Sequence, residues 1–188
     1  MARRLPLLLL ALLVPGWAGA AGLLDNIRLP AGFAIDTFAD NVPDARSLAL
    51  GAKGTVFVGN RRADKVYALV DTNGDGHADR RYTLAKFLDT PNGIAFYKGD
   101  LYVAENHRIL KFADIETHLS DPPKPQVIFD QLPTRSHHGW RYLAAGPDGW
   151  LYVSIGAPCN ICDVGFGVRS CFADFEDVSC QHGKTLTH

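Results

Sequence analysis

The chain has 188 residues, of which 19 are basic and 20 are acidic, so its formal net charge is −1. This balance argues against nucleic acid as a partner, because that binding depends on clustered positive charge. The length allows one sizeable core, and 18 glycines with 11 prolines are typical of a turn-rich all-β protein.

The first twenty residues have the pattern of an export signal. Arg3 and Arg4 precede an apolar run at 5–14, and small residues at 18–20 provide a cleavage site. A membrane anchor is the alternative, but a span needs roughly 18–20 apolar residues, and no later stretch approaches that length. We therefore expect a signal peptide at 1–20, a periplasmic or secreted protein, and no membrane span.

Short strands follow the leader along most of the chain. Residues 27–38 are predicted as an entry strand next to a Pro-Ala-Gly turn. Further strands are predicted where apolar and polar residues alternate between turn residues: 46–50, 55–60, 65–70, 80–86, 93–97, 100–104, 108–113, 126–130, 141–145 and 150–155.

Three segments repeat one pattern of alternating apolar residues, a glycine-bearing turn and an aromatic-Val strand. The aromatic residues Phe57, Tyr102 and Tyr152 are separated by 45 and then 50 residues. This period is typical of β-propeller blades, which have four antiparallel strands each. A β-sandwich also has short strands, but it has no reason to repeat a motif at this interval. We predict about three blades over 27–164, followed by a divergent or poorly ordered tail at 165–188.

The segment 71–79 is the best local match to a metal-binding motif. Asp71, Asn73, Asp75 and Asp79 occupy positions 1, 3, 5 and 9 of a calcium loop, with glycine at position 6. Position 12 carries Tyr82 instead of glutamate, and the flanking sequence is strand-like. Asn-Gly and Asp-Gly are also the usual residues of hairpin turns. The segment is therefore either an acidic turn or a weak, structural calcium site.

The segment 136–141, Ser-His-His-Gly-Trp-Arg, carries the most chemically active residues. A histidine in a loop at the central face of a propeller can act as a general base, and a neighbouring guanidinium can hold an anionic ligand. The alternative is a histidine pair with a surface or structural role. No dinucleotide-binding, nucleophile-elbow or P-loop motif occurs in the chain.

The four cysteines are Cys159, Cys162, Cys171 and Cys180. In an exported chain they favour disulfides over a redox or metal pair. Four cysteines allow three pairings, and the sequence does not choose among them.

Six short motifs, taken in order, resemble the glucose/sorbosone dehydrogenase family of soluble sugar dehydrogenases that use pyrroloquinoline quinone (PQQ). The greatest likeness is to the sorbosone dehydrogenase branch, and it covers about residues 27–164. The motifs lie at 29–33, 71–76, 91–96, 137–140, 146–149 and 156–162.

The resemblance implies a six-bladed propeller with the quinone over its central channel and calcium as a second cofactor. A histidine would take the proton from a sugar hydroxyl or hydrated aldehyde while hydride passes to the quinone. Counting back from the Gly-Pro-Asp-Gly turn selects His138, and a one-residue gap selects His137. Arg141 or Trp140 would then line the cofactor site.

The resemblance also implies three further blades, which carry quinone contacts and calcium ligands in the family. We therefore expect a truncated or frameshifted dehydrogenase. The alternative is a non-catalytic propeller fragment or β-rich binding module, which would self-associate through open propeller edges.

Overall fold

The computed structural model describes residues 24, 26–134, 136 and 138–156. The predicted signal peptide, the tail, His137 and the four cysteines lie outside the described residues. Residues Met1–Thr37 and Phe38–His188 form two separate units. Among the described residues, no helix is long and apolar enough to cross a membrane.

The predicted entry strand at 27–38 is wrong. In the first unit, the backbone N–H of Phe33 donates to the carbonyl of Pro30 at 3.2 Å, which forms the expected turn. No described residue of 27–38 belongs to a strand, and Ile27, Phe33 and Ile35 are exposed. Alternation alone does not make a strand, because a strand also needs a partner for its backbone N–H and C=O groups, and none of the described strands pairs with this segment.

The second unit is built from short antiparallel strands, so the all-β prediction is confirmed. Every strand predicted from residue 46 onward is present, with ends that differ by a few residues. The strands are β1 (Ala45–Leu50), β2 (Val56–Asn60), β3 (Val66–Val70), β4 (Arg80–Ala85), β5 (Gly93–Tyr97), β6 (Asp100–Ala104), β7 (Ile109–Phe112), β8 (Gln126–Phe129), β9 (Leu143–Ala145) and β10 (Leu151–Val153).

The strands form three sheets in chain order. Two sheets have four strands each, ordered β1-β2-β3-β4 and β5-β6-β7-β8, and β9 pairs with β10 in the third. The first strands β1, β5 and β9 lie next to one another, so the sheets are arranged as successive propeller blades. The remainder of the predicted third blade lies outside the described residues.

Strand polarity divides the loops between two ends of the sheets. The connections after β2, β4, β6 and β8 lie at one end, here called the upper end. The turns after β1, β3, β5, β7 and β9 lie at the opposite, lower end. Backbone hydrogen bonds join the upper loops of successive sheets, as from Leu88 N–H to the Asp64 carbonyl at 3.0 Å and from Asn106 N–H to the Asp89 carbonyl at 3.0 Å.

The repeated aromatic residue of each of the first two sheets packs against the following sheet. Phe57 is fully buried between the first and second sheets, where its ring stacks on Phe96 with centroids 5.6 Å apart. Tyr102 is buried between the second and third sheets, whereas Tyr152 in the third is 49% exposed. Burying such a side chain stabilises the fold by about 1.5–3 kcal/mol, so the repeat in the sequence is a repeat of inter-sheet contacts.

Candidate functional site

The upper loops of the three sheets enclose a polar cavity of about 250 Å³. It collects residues from the loop after β2, the loop after β4, the loop after β6 and the long segment before β9. Among the described residues, its lining contains no carboxylate. The lining residues are Arg61, Arg62, Thr90, Asn106, Ser136, His138, Gly139 and Trp140.

His138 is held in the cavity wall by an unusual backbone conformation. Its φ of 53° lies in the left-handed region, which side chains other than glycine seldom adopt. The N–H of Gly139 donates to the carbonyl of Ser136 at 3.0 Å and closes the turn around it. Strained backbone of this kind persists where the surroundings fix it, and it is frequent at functional sites.

Gly156 makes the close approach that this turn requires. A Cβ atom at Gly156 would lie 2.3 Å from the carbonyl oxygen of His138 and 2.7 Å from its Cβ. Any larger residue would therefore displace the histidine or the end of the third sheet. The chain thus brings Gly156, three residues after the end of β10, directly against the candidate base.

Trp140 lines the cavity, and two arginines are placed over its ring. The guanidinium carbon of Arg61 lies 3.7 Å from the ring centroid, and that of Arg46 lies 4.4 Å away. Such cation–π contacts are worth roughly 0.5–2 kcal/mol, depending on desolvation. Trp140 therefore joins the first sheet to the segment before β9 and fixes positive charge at the cavity.

Arg141 is buried and does not line the cavity, in contrast to the adjacent Trp140. Its side chain is only 1% exposed. Its Nε donates to the Asn106 carbonyl at 3.0 Å, and its Nη2 donates to the carbonyl of Pro133 and, at 3.5 Å, to Oδ1 of Asn106. Burial lowers the pKa of this guanidinium. The side chain thus connects two upper loops from inside, and it is not among the residues that line the cavity.

Asp44 organises the loop that carries Arg61 and Arg62. Its carboxylate accepts hydrogen bonds from the backbone N–H groups of both arginines, at 2.9 Å from Arg61. The bond from Arg62 is the largest cause of the lowered pKa of Asp44, and the bonds from Arg61 and Ala63 add to it. The carboxylate therefore fixes the main chain at the point where both side chains leave it.

The candidate calcium loop connects β3 to β4, at the lower end of the sheets. Asp71 accepts hydrogen bonds from the backbone N–H groups of Gly74 at 2.7 Å and Gly76 at 2.9 Å, which lower its pKa. Asp79 accepts from the hydroxyl of Thr72 at 2.6 Å. The described part of the chain contains no group of three or more His, Cys, Asp or Glu side chains placed to hold a metal.

Asn73 and Asp75 also form hydrogen bonds within this loop. The Asn73 side-chain amide donates to Asp75 at 3.0 Å, and Asp75 accepts the N–H of His77 at 2.8 Å. Such bonds are typical of Asx turns. Strand polarity separates the loop from the upper cavity by the length of a strand, so it does not meet His138.

A second cavity of about 260 Å³ lies beside the lower half of the second sheet. Lys111 pairs there with Asp100 at 3.1 Å, and Tyr102 has its pKa raised to about 12, mainly by burial. Of the two lysines that line this cavity, Lys111 already has a carboxylate partner, and Lys98 lies 5.0 Å from the ring centroid of Tyr97. No histidine lines the cavity among the described residues. The upper cavity is therefore the better candidate site.

The sequence interpretation missed Asp44, Arg46, Arg61 and Arg62. The signal for the arginine pair was available, because the pair directly follows β2 and strand alternation places that loop at the same end as His138. Arg46 and Asp44 carried no comparable signal, since their roles depend on contacts with residues far along the chain.

Comparison with solved structures defines the class of fold. The pyranose dehydrogenase PQQ domain from Coprinopsis cinerea, in its holo form, superposes with a TM-score of 0.57 at 12% identity over 66% of this chain and 30% of that one. The PQQ-bound aldose sugar dehydrogenase from Streptomyces coelicolor gives 0.52 at 18% identity over 68% and 42%. The calcium structure of a Trichoderma reesei enzyme of carbohydrate-active family AA12 gives 0.53 at 21% identity over 66% and 32%. The chain is therefore part of a β-propeller of the kind that these enzymes contain.

The family follows from the sequence. The profile of the domain of unknown function DUF7133 matches residues 21–181, so the chain belongs to the DUF7133 family. An uncharacterized protein of Borreliella burgdorferi is 24% identical over 153 residues, which are 76% of this chain and 38% of that protein. The chain thus spans well under half the length of this relative and of the solved propellers.

Proposed function

We propose that this chain forms part of a PQQ-dependent sugar dehydrogenase, with His138 as general base. The observation that carries the proposal is the upper cavity, which holds His138 beside Arg61, Arg62 and Trp140 in a fold shared with such enzymes. The sorbosone dehydrogenase branch, with an aldose or hydrated aldehyde as substrate, remains part of this proposal.

The residues of the cavity fit an anionic, planar cofactor. Arg61 and Arg62 supply positive charge, and the ring of Trp140 provides an aromatic wall. When bound, PQQ supplies the acceptor for hydride from the substrate C–H bond. The imidazole of His138 accepts the proton of the substrate hydroxyl, so that the C–OH group becomes C=O.

Arg141 contributes to this site by positioning. Its hydrogen bonds hold the loop after β6 against the segment that carries His138. We therefore assign the cofactor-facing role to Trp140 and the arginine pair, and we assign Arg141 the role of a bridge behind the cavity wall. His137 is kept as the alternative base.

Calcium binding by Asp71, Asn73, Asp75 and Asp79 is a separate proposal. Their oxygens serve backbone and side-chain donors of the loop itself, so a bound ion would replace those hydrogen bonds. Isothermal titration of the calcium-free protein with Ca²⁺ tests this. Heat that disappears in Asp71→Asn would support the site, and absence of heat at millimolar Ca²⁺ would reject it.

Dye reduction tests the proposed dehydrogenase activity. The protein is loaded with PQQ and Ca²⁺ and mixed with a panel of aldoses and a dye acceptor. We expect wild type and His118→Ala to reduce the dye and His138→Ala to lose about 10²–10⁴-fold in kcat/KM, the range for removal of a general base. His118 is a matched control because it lies at the lower end, beside Thr117.

A binding module is the second candidate, and it is favoured by a cavity that offers positive charge and an aromatic wall to a ligand. Saturable PQQ or sugar binding with no dye reduction would favour this candidate.

Export of the chain through its first twenty residues is also proposed. N-terminal sequencing of protein recovered from the periplasm or medium would show cleavage near Ala20 if export occurs.

A further inference from the structure

The described sheets meet through one kind of contact, which occurs twice. Phe57 of β2 is fully buried against β5, where its ring stacks on Phe96 and Ile94 belongs to the same cluster. Tyr102 of β6 and Leu143 of β9 repeat this contact between the second and third sheets. Each sheet therefore has a leading face, which carries the aromatic residue of its second strand, and a receiving face, which carries apolar residues of its first strand.

The receiving face of the first sheet is open along β1. In the pairing of β1 with β2, Leu48 occupies the position that Ile94 occupies in the pairing of β5 with β6. Leu50 corresponds in the same way to Phe96. Leu48 and Leu50 are 64% and 69% exposed, whereas Ile94 is 3% exposed. Apolar residues of the segment 38–42 cover the outer strands of this face, so the open part is the strip along β1.

The leading face of the third sheet is open as well. Tyr152 is the repeated aromatic residue there, and its hydroxyl donates to Asp148 at 2.5 Å. A Cβ atom at Gly146 would lie 2.6 Å from Cε2 of this ring, just as one at Gly51 would lie 3.0 Å from Cε2 of Phe57. Tyr152 therefore has the local setting of Phe57, but it is 49% exposed because no described sheet covers it.

The two open faces complement each other. Contact between them would remove Tyr152, Leu48 and Leu50 from water, which is the main favourable contribution to protein association. The charges agree with the same arrangement. Asp148 lies in the turn after β9, and the exposed Lys53 lies at the corresponding position in the turn after β1. Both turns are at the lower end of the sheets.

We propose that the chain associates head to tail with a second copy of itself, so that Tyr152 of one copy packs on Leu48 and Leu50 of the other. A second copy is the occupant because it offers both faces and repeats, between chains, the contact that already joins its own sheets. Such an interface is heterologous, so the copies either close a ring or continue into longer assemblies. The proposal does not depend on the chemistry of the upper cavity.

Sedimentation velocity of the full chain over a range of concentrations tests the proposal. Wild type should shift from monomer to dimer or larger species as its concentration rises. L48K/L50K and Tyr152→Lys each disable one face, and each variant alone should associate about tenfold or more weakly, as expected when central apolar anchors are lost. Phe87→Lys is the matched control and should associate like wild type, because Phe87 is 88% exposed in the loop after β4, which belongs to neither face.

Mixing the two variants determines the direction of the contact. L48K/L50K keeps its leading face, and Tyr152→Lys keeps its receiving face. An equimolar mixture should therefore form a 1:1 dimer at concentrations where each variant alone stays monomeric. Nothing larger should form, because the two remaining faces carry lysines. Circular dichroism of both variants should match that of wild type, since the replaced side chains are largely exposed.

Several results would overturn the proposal. Wild type that stays monomeric at every concentration would do so, because another part of the chain or a different partner then covers the two faces. Association of either variant alone as strong as that of wild type would show that the contact does not join a leading face to a receiving face. A mixture that stays monomeric while wild type associates, or a loss of association in Phe87→Lys, would have the same consequence.

Discussion

Replacing Arg141 tests whether this residue bridges two loops or contacts a ligand. Arg141→Met removes two well-formed charged hydrogen bonds from a side chain that is 1% exposed. Each such bond is worth about 1.5–3 kcal/mol. Part of this loss is recovered, because methionine avoids the desolvation cost of burying a charge and the carbonyl of exposed Pro133 can turn to water. We expect a net loss of about 2–3 kcal/mol in the free energy of unfolding.

Urea unfolding of the ligand-free protein measures this loss, with circular dichroism and fluorescence compared as a test of two-state behaviour. A thermal midpoint lowered by roughly 5–10 °C corresponds to the same loss for a chain of this size. Arg141→Lys should be destabilised similarly, because a single ammonium cannot hold both carbonyls. Arg80→Met is the control, and it should stay within about 0.5 kcal/mol of wild type.

The reasoning would be refuted if Arg141→Met unfolded like wild type and instead lost affinity for PQQ or sugar. That result would place the guanidinium at the ligand. A loss of stability together with weaker ligand binding agrees with the bridge, since a loosened segment before β9 no longer holds His138 in place.

Three further predictions concern the upper cavity and the first sheet. Asp44→Asn should lower stability by an amount that is constant above about pH 5 and shrinks below about pH 4. The folded-state pKa of Asp44 is depressed, so its contribution is present above the unfolded value and is lost as the carboxylate protonates on acidification. Gly156→Ala should reduce ligand binding, because its Cβ would meet the backbone of His138. Leu48→Lys with Leu50→Lys should suppress self-association in sedimentation velocity, since these side chains are 64% and 69% exposed on the first sheet.

Each prediction has an outcome that contradicts it. If the loss of stability in Asp44→Asn grew on acidification, the predicted pH dependence would be contradicted, because protonation should remove the contribution of the carboxylate to stability. Unchanged binding in Gly156→Ala would show that the close approach to His138 has no consequence. Concentration-independent sedimentation of wild type would remove the case for open propeller edges.

The sequence predicted the strands of the second unit well, because the blade pattern is local. Alternation and turn residues determine where Phe57 and Tyr102 lie, and their spacing reports the packing of one sheet on the next. The segment 27–38 has the same local pattern but forms no strand among its described residues, because pairing depends on a partner that the pattern does not reveal.

The site was less predictable than the fold. Proximity in sequence suggested that Arg141 accompanies His138, yet the side chain is directed into the protein interior and bonded to Asn106 and Pro133. The cations that line the cavity come from another sheet, about 75 residues earlier in the chain. Which of several arginines faces a cavity depends on the long-range folding of loops, and the residue pattern carries little information about that.

Nuclear magnetic resonance of histidine-labelled protein tests the central claim most directly, because it reports on the cavity that contains His138. The ring signals of His138 and His118 are assigned with the His138→Gln and His118→Gln variants, and PQQ and glucuronate are then titrated separately. We predict that at least one of them shifts the His138 signal to saturation while the His118 signal stays in place. A His138 signal that does not move while calorimetry shows saturated binding would contradict the account, because the ligand would then occupy another site.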